Sequence, residues 1–192
     1  LACRNANLNG DEFPDLVAQS TSNWQAQPTS PDEDKLNPER RPRVHLMLND
    51  GNGFMTRASE LISGNEYFRI HTYKDIFLAD LNNDGLDDIM TGSGGGGPLL
   101  YETVDDGVLI LMSDSQTGSY SDQTDLINFP RINRDRGDFS EEVLALAGVD
   151  LFVAADIDQD GWKDIVTMAV AGGARGAFPL VLLNQDGQGF EP

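Results

Sequence analysis

The hydrophobic positions of this chain come in short clusters, each closed off by turn-forming residues. "FVAAD" (152–156), "DIVTMAV" (164–170), "LVLLN" (180–184), "HLMLN" (45–49) and "LILMS" (109–113) are apolar runs of strand length. Such runs, bounded by Asp, Asn, Gly and Ser, predict buried β-strands. The 3.6-residue period of an amphipathic helix is nearly absent. Only "SEEVLALAG" (140–148) predicts a short helix.

The runs fall into a repeating unit. Three segments align without gaps: "ANLNGDEFPDLV" (6–17), "ADLNNDGLDDIM" (79–90) and "ADIDQDGWKDIV" (155–166). Each is followed by a strand and a polar, mostly Gly-containing turn: "HLMLNDGNGF" (45–54), "LILMSDSQTGSY" (109–120) and "LVLLNQDGQGF" (180–190). Each unit thus reads as four strands, A to D, with an acidic loop between A and B and a second turn between C and D. The repeats are expected over about 1–62, 68–127 and 149–192 of one continuous repeat region, 1–192. One four-stranded sheet cannot bury both of its faces, whereas sheets stacked around an axis can. The predicted fold is therefore all-β, made of β-propeller-type repeats of four-stranded antiparallel blades. Three blades fall below the usual range of about four to eight. Further blades in a longer polypeptide are expected, or head-to-tail assembly with other chains.

Charge changes the picture at the A–B loops. The chain has 192 residues, 39% of them hydrophobic, and carries 32 acidic against 13 basic residues, a formal net charge of −19. That excess disfavours nucleic acid as a partner. The acidic residues are concentrated in the repeated loops. Calcium takes six to eight oxygen ligands, and side chains at positions 1, 3 and 5 of a tight loop can converge on one ion. A glycine at position 6 permits the sharp turn. A carbonyl at position 7 and a carboxylate at position 9 can complete the shell. The second loop supplies Asp80, Asn82, Asp84, the Leu86 carbonyl and Asp88. The third supplies Asp156, Asp158, Asp160, the Trp162 carbonyl and Asp164. The first departs from the pattern, with Asn7, Asn9, Asp11, the Phe13 carbonyl and Asp15, and with Glu12 where glycine is expected. The expectation is two calcium sites and a third, weaker one in the first loop. An EF-hand would need Glu at position 12, where this chain has Ala18, Thr91 and Thr167.

"ADLNNDGLDDI" and "ADIDQDGWKDI", with their following "LNxGxGF"-type turns, resemble the FG-GAP/VCBS repeat family, the calcium-binding blades of integrin α-subunit heads and of many bacterial surface proteins. The resemblance implies calcium-binding propeller blades and, as in integrin-like heads, ligand binding on the face away from the calcium loops. The B–C loops on that face (20–42, 91–107 and 171–179) vary most in length and composition. Arg40, Arg41 and Arg43 close the first of them, and Arg131, Arg134 and Arg136 lie in the connection after the second repeat. These arginines either pair with local acids such as Asp32, Glu33, Asp34, Asp135 and Asp138 or form a docking patch for an acidic protein or glycan.

Other chemistry is thinly represented. "GSGGGGP" (92–98) lacks the Lys-Ser/Thr of a phosphate loop. His45 and His71 lack metal-ligand spacing, and no nucleophile–base arrangement is evident. The single cysteine, Cys3, precludes an internal disulfide. "LAC" echoes a lipoprotein cleavage box, but the repeat alignment places Cys3 in a strand. Trp24 and Trp162 do not occupy equivalent repeat positions, and Trp162 is expected to pack against a neighbouring blade. No apolar run is long enough for a transmembrane helix. The function expected is a non-enzymatic, calcium-binding extracellular or cell-surface module for protein binding, adhesion or assembly. The alternatives are a lectin-like carbohydrate-binding propeller and an accessory domain of a secreted enzyme.

Overall fold

The computed structural model describes residues 3–20, 43–63, 73–93, 108–127, 149–170 and 177–192. They form three four-stranded antiparallel sheets, each a simple meander. The first blade comprises β1 (Cys3–Ala6), β2 (Asp15–Ser20), β3 (Arg43–Asn49) and β4 (Met55–Arg57). The second comprises β5 (Tyr73–Ala79), β6 (Asp88–Ser93), β7 (Val108–Asp114) and β8 (Ser119–Asp122). The third comprises β9 (Val149–Ala155), β10 (Asp164–Val170), β11 (Ala177–Asn184) and β12 (Phe190–Glu191). No α-helix occurs among the described residues. The predicted helix at 140–148 lies outside them, as do 21–42, 94–107 and 171–176 of the B–C loops, Trp24, His71 and every arginine of the two basic clusters except Arg43.

The propeller-type stacking of blades follows from side-chain alternation. In a strand, successive side chains point to opposite faces. Along β5, Ile76 and Leu78 join the core shared with the first blade, while Phe77 and Ala79 join the core shared with the third. Along β7, Leu109 and Leu111 face the first core, and Ile110 and Met112 face the second. A sheet buried on both faces has no polar face to show, so "DIFLA" and "VLILM" read as almost unbroken apolar runs.

The two cores repeat one another. Ala6, Leu8, Val17 and Leu46 of the first blade meet Ile76, Ile89, Leu109, Leu111 and Tyr120 of the second. Ala79, Leu81, Met90, Ile110 and Met112 of the second blade then meet Phe152, Ile165, Leu180, Leu182 and Phe190 of the third. At the rim of the second seam, the Phe77 and Phe152 rings meet edge to face with centroids 5.3 Å apart. At the matching place on the first seam, Arg4 forms a forked ion pair with Asp75 at 2.6 and 2.7 Å. Its exposure limits that pair to about 0–1 kcal/mol.

Short 3-10 turns at Ser59–Leu61 and Thr124–Leu126 leave the D strands and reach the next blade. Ile62 bridges to Tyr120, and Ile127 bridges to Phe190. Antiparallel meandering puts the A–B loop and the C–D turn of each blade at the same end, and that end carries all three acidic loops.

Candidate metal centre

The three acidic loops are wound by one hydrogen-bonding scheme. At position 3, the side-chain oxygen accepts the N–H of position 5, in the pairs Asn9–Asp11 (3.0 Å), Asn82–Asp84 (3.1 Å) and Asp158–Asp160 (3.2 Å). At position 5, the carboxylate accepts the N–H of position 7, in the pairs Asp11–Phe13 (2.8 Å), Asp84–Leu86 (2.9 Å) and Asp160–Trp162 (2.8 Å). These are successive Asx turns, the local bonds that short Asp and Asn side chains offer the backbone.

Position 1 differs between loops. Asp80 and Asp156 accept the N–H of the glycine at position 6, Gly85 and Gly161, at 3.1 Å in both cases. Both glycines are left-handed, with φ of 91° and 96°. Glu12, at that position in the first loop, stays outside the left-handed region. There Asn7 accepts the N–H of Gly10 at 2.9 Å instead. Its amide nitrogen donates to the Gly85 carbonyl of the second blade at 2.9 Å, a bond no aspartate can make. Asn7 is thus part of the seam between blades, where its backbone also exchanges bonds with Asp87 at 2.8 and 2.9 Å.

The position 9 aspartates clamp each loop to its blade. Asp15, Asp88 and Asp164 are all fully buried. One oxygen of each accepts the N–H of position 2, from Leu8 (3.0 Å), Leu81 (2.6 Å) and Ile157 (2.7 Å). The other accepts the N–H at the end of strand C, from Asn49 (2.9 Å), Ser113 (2.7 Å) and Asn184 (2.8 Å). Asn49, Ser113 and Asn184 therefore belong to the loop architecture although the oxygen-ligand pattern does not include them. Their signal in the sequence is a small polar residue closing each apolar C strand. Asn184 also donates to the Leu81 carbonyl at 2.7 Å, tying the third blade to the second.

The loops differ in how their carboxylates converge. In the third, oxygens of Asp156, Asp158 and Asp164 all lie within 4.8 Å of one another. Asp160 falls outside that group. No other cluster of three or more such groups occurs among the described residues. Partial desolvation and repulsion from Asp160, Asp164 and Asp156 push the Asp158 carboxyl above its ordinary range. In the second loop, Asp84 leans toward the C–D turn and accepts the Ser113 hydroxyl (3.1 Å) and the Ser115 N–H (2.8 Å). Asn82 donates to the Ser113 carbonyl at 2.7 Å. Burial pushes the Asp88 carboxyl up to about 6, against the lowering effect of its bonds from Ser113.

The donor set of the third loop fits a hard cation. It consists of oxygens alone, and an ionised carboxylate has about four acceptor sites, of which the backbone bonds occupy one or two. Among the described residues, no basic side chain forms an ion pair with any of the loop carboxylates. Calcium held there by Asp156, Asp158 and Asp164 would supply the missing countercharge.

The position 7 side chains lie over the C–D turns. Phe13 covers Gly51, where a Cβ would come within 2.4 Å of the ring. Trp162 covers Gly187 of its own blade, where a Cβ would come within 2.9 Å. Both glycines are also left-handed, so a side chain there would be strained by the backbone and would displace the ring above it. Leu86 in the second loop is buried.

No helix among the described residues is long and apolar enough to cross a membrane. No curated protein matches the chain. The model of the FG-GAP-like repeat matches residues 7–91, a span that runs from the first acidic loop through the second and into β6.

Proposed function

We propose that this chain is a non-catalytic, calcium-stabilised binding module of an extracellular or cell-surface protein. It engages a protein or glycan through the connections at the end of the blades opposite the acidic loops. The observation that carries this reading is the group formed by Asp156, Asp158 and Asp164 in a loop whose winding recurs in all three blades. The FG-GAP-like match at residues 7–91 supports the adhesion-type setting. In this reading the third loop binds calcium most tightly, the second binds it with Asp80, Asn82, Asp84, the Leu86 carbonyl and Asp88, and the first binds it weakly or not at all.

Calcium acts as part of the fold. The loops join adjacent strands of one sheet, so loss of the ion loosens a loop and its strand ends without rearranging the blade. Extracellular calcium modules often bind at about 10⁻⁴–10⁻³ M. A site held tenfold above its dissociation constant gains about 1.4 kcal/mol by linkage.

The test is calorimetric titration of chelator-treated protein with calcium, alongside thermal melts in calcium and in EDTA. Binding with a raised melting temperature is expected, and the paired change Asp156→Ala with Asp158→Ala should remove the tightest phase. A protein that takes up no calcium and melts identically in both buffers overturns the reading.

A further inference from the structure

One peptide group in each of the second and third acidic loops is held from across a seam. Gly85 and Gly161, at position 6, are left-handed, and nothing lies within 4 Å of where a Cβ would stand on either. Packing on the glycine therefore does not fix the peptide that follows it, and glycine leaves that peptide freer to rotate than another residue would. The same peptide joins two positions of the oxygen pattern. Its N–H, from Leu86 or Trp162, donates to the position 5 carboxylate of Asp84 (2.9 Å) or Asp160 (2.8 Å). Leu86 and Trp162 then carry the position 7 carbonyl.

The carbonyl of this peptide is bonded in both loops by an asparagine of the preceding blade. The Asn7 amide donates to Gly85 at 2.9 Å, and the Asn83 amide donates to Gly161 at 3.2 Å. The two asparagines stand at different loop positions, 1 and 4. In the first loop, position 4 is Gly10, which has no side chain to reach with. In the second, position 1 is Asp80, whose ionised carboxylate has no N–H to donate. Each seam thus places its amide where its own loop allows one, and both amides meet the same carbonyl.

We propose that Asn7 and Asn83 are positioning residues for calcium in the next blade, Asn7 for the second loop and Asn83 for the third. Each bond fixes the peptide between positions 6 and 7. It thereby holds the position 5 carboxylate and the position 7 carbonyl in place before the ion arrives. Groups outside the ligand set that orient the ligands raise metal affinity, because a loop ordered in advance loses less freedom on binding. The effect on affinity rests on the calcium reading above, whereas the positioning itself does not need the ion.

The test compares Asn7→Ser and Asn83→Gly with the wild type, each read at a loop in which no residue is changed. Serine is too short to keep the Gly85 contact. Glycine keeps the left-handed turn of Asn83, at φ of 56°, without an amide. Neither substitution alters the charge of any loop, and thermal melts establish that both variants are folded. Calcium titrations followed through the backbone amide NMR signals of each loop give the separate affinities. Asn7→Ser should weaken the second loop about two- to tenfold, and Asn83→Gly the third by the same factor, the scale of one amide–carbonyl bond. Hydrogen exchange in EDTA reads the positioning without the ion. The Leu86 N–H should exchange about two- to tenfold faster in Asn7→Ser, and the Trp162 N–H in Asn83→Gly. A protein that binds no calcium removes the affinity effect together with the calcium reading, and the exchange pattern then decides the positioning alone. Exchange unchanged at the neighbouring loop, an equal change in all three loops, or calcium bound as tightly as by the wild type overturns the proposal.

Discussion

The first and third acidic loops make nearly the same turn with different charge. Asn9 and Asp11 perform the backbone bonding that Asp158 and Asp160 perform, Asn7 holds the Gly10 N–H where Asp156 holds that of Gly161, and Asp15 clamps its loop as Asp164 does. Neutral amide oxygens at positions 1 and 3 therefore suffice to wind a closely similar turn. The extra carboxylates of the third loop exceed what its geometry needs, and their mutual repulsion works against the fold unless a cation offsets it. The comparison separates two jobs that the acidic residues share. Position 9 holds the loop to the sheet, and positions 1 and 3 determine whether charge accumulates.

The largest effect should come from breaking the clamp in both loops. Asp15→Ala and Asp164→Ala each leave two backbone N–H groups without their acceptor beside a buried site. At about 1–3 kcal/mol per orphaned donor, each substitution should cost about 2–6 kcal/mol. In EDTA the two costs should be similar, because the clamp is the same. In calcium, Asp164→Ala should lose more than Asp15→Ala, since it also removes a carboxylate from the third loop's oxygen group. Urea denaturation in both buffers measures this. Equal losses in calcium would remove Asp164 from the metal shell while leaving the clamp intact.

The same division explains what could be read from the sequence. The oxygen pattern and the strand runs were legible because each follows a short-range rule: Asx turns at fixed offsets, and alternation along a strand. The double-sided burial of β5 and β7 showed directly as unbroken apolar runs. The clamp partners Asn49, Ser113 and Asn184 were less legible, because they contribute backbone N–H groups and any small residue can do so. The 3-10 turns after β4 and β8 left no pattern at all. They are held by Ile62 and Ile127 bridging to the next blade, a tertiary contact that local propensity does not encode. The placement of Trp162 over Gly187 likewise depends on the C–D turn coming back beside the A–B loop. Asn7 reads as a weakened ligand in the sequence, whereas the structure gives its amide nitrogen a partner across the seam.

A smaller effect should sharpen the contrast at position 6. Gly161 has φ of 96°, so Gly161→Ala forces a Cβ into the left-handed region, although the space around it is open. A cost of about 1–2 kcal/mol is expected. Glu12→Gly in the first loop relieves no such strain and should lose about 0.5–1 kcal/mol through added freedom of the unfolded chain. Paired thermal melts of the two variants check this. A stabilising Glu12→Gly would mean that the first loop also favours the left-handed turn and that Glu12 distorts it.

The smallest effect concerns position 4, where all three loops are left-handed. Gly10 has φ of 76°, Asn83 56° and Gln159 66°. Glycine suits this conformation and asparagine tolerates it, but glutamine is too long for the local bond that makes the left-handed region accessible to asparagine. Gln159→Gly removes a backbone penalty of about 1–2 kcal/mol and adds an unfolded-state entropy cost of about 0.5–1 kcal/mol. The net expectation is a gain of about 0–1.5 kcal/mol. Because Gln159 supplies no oxygen at a ligand position, the gain should be the same in calcium and in EDTA. Denaturation midpoints in the two buffers provide the measurement. A gain confined to EDTA would show that strain at position 4 is already relieved when the third loop holds its ion, and that the loop closes around calcium by adjusting this residue.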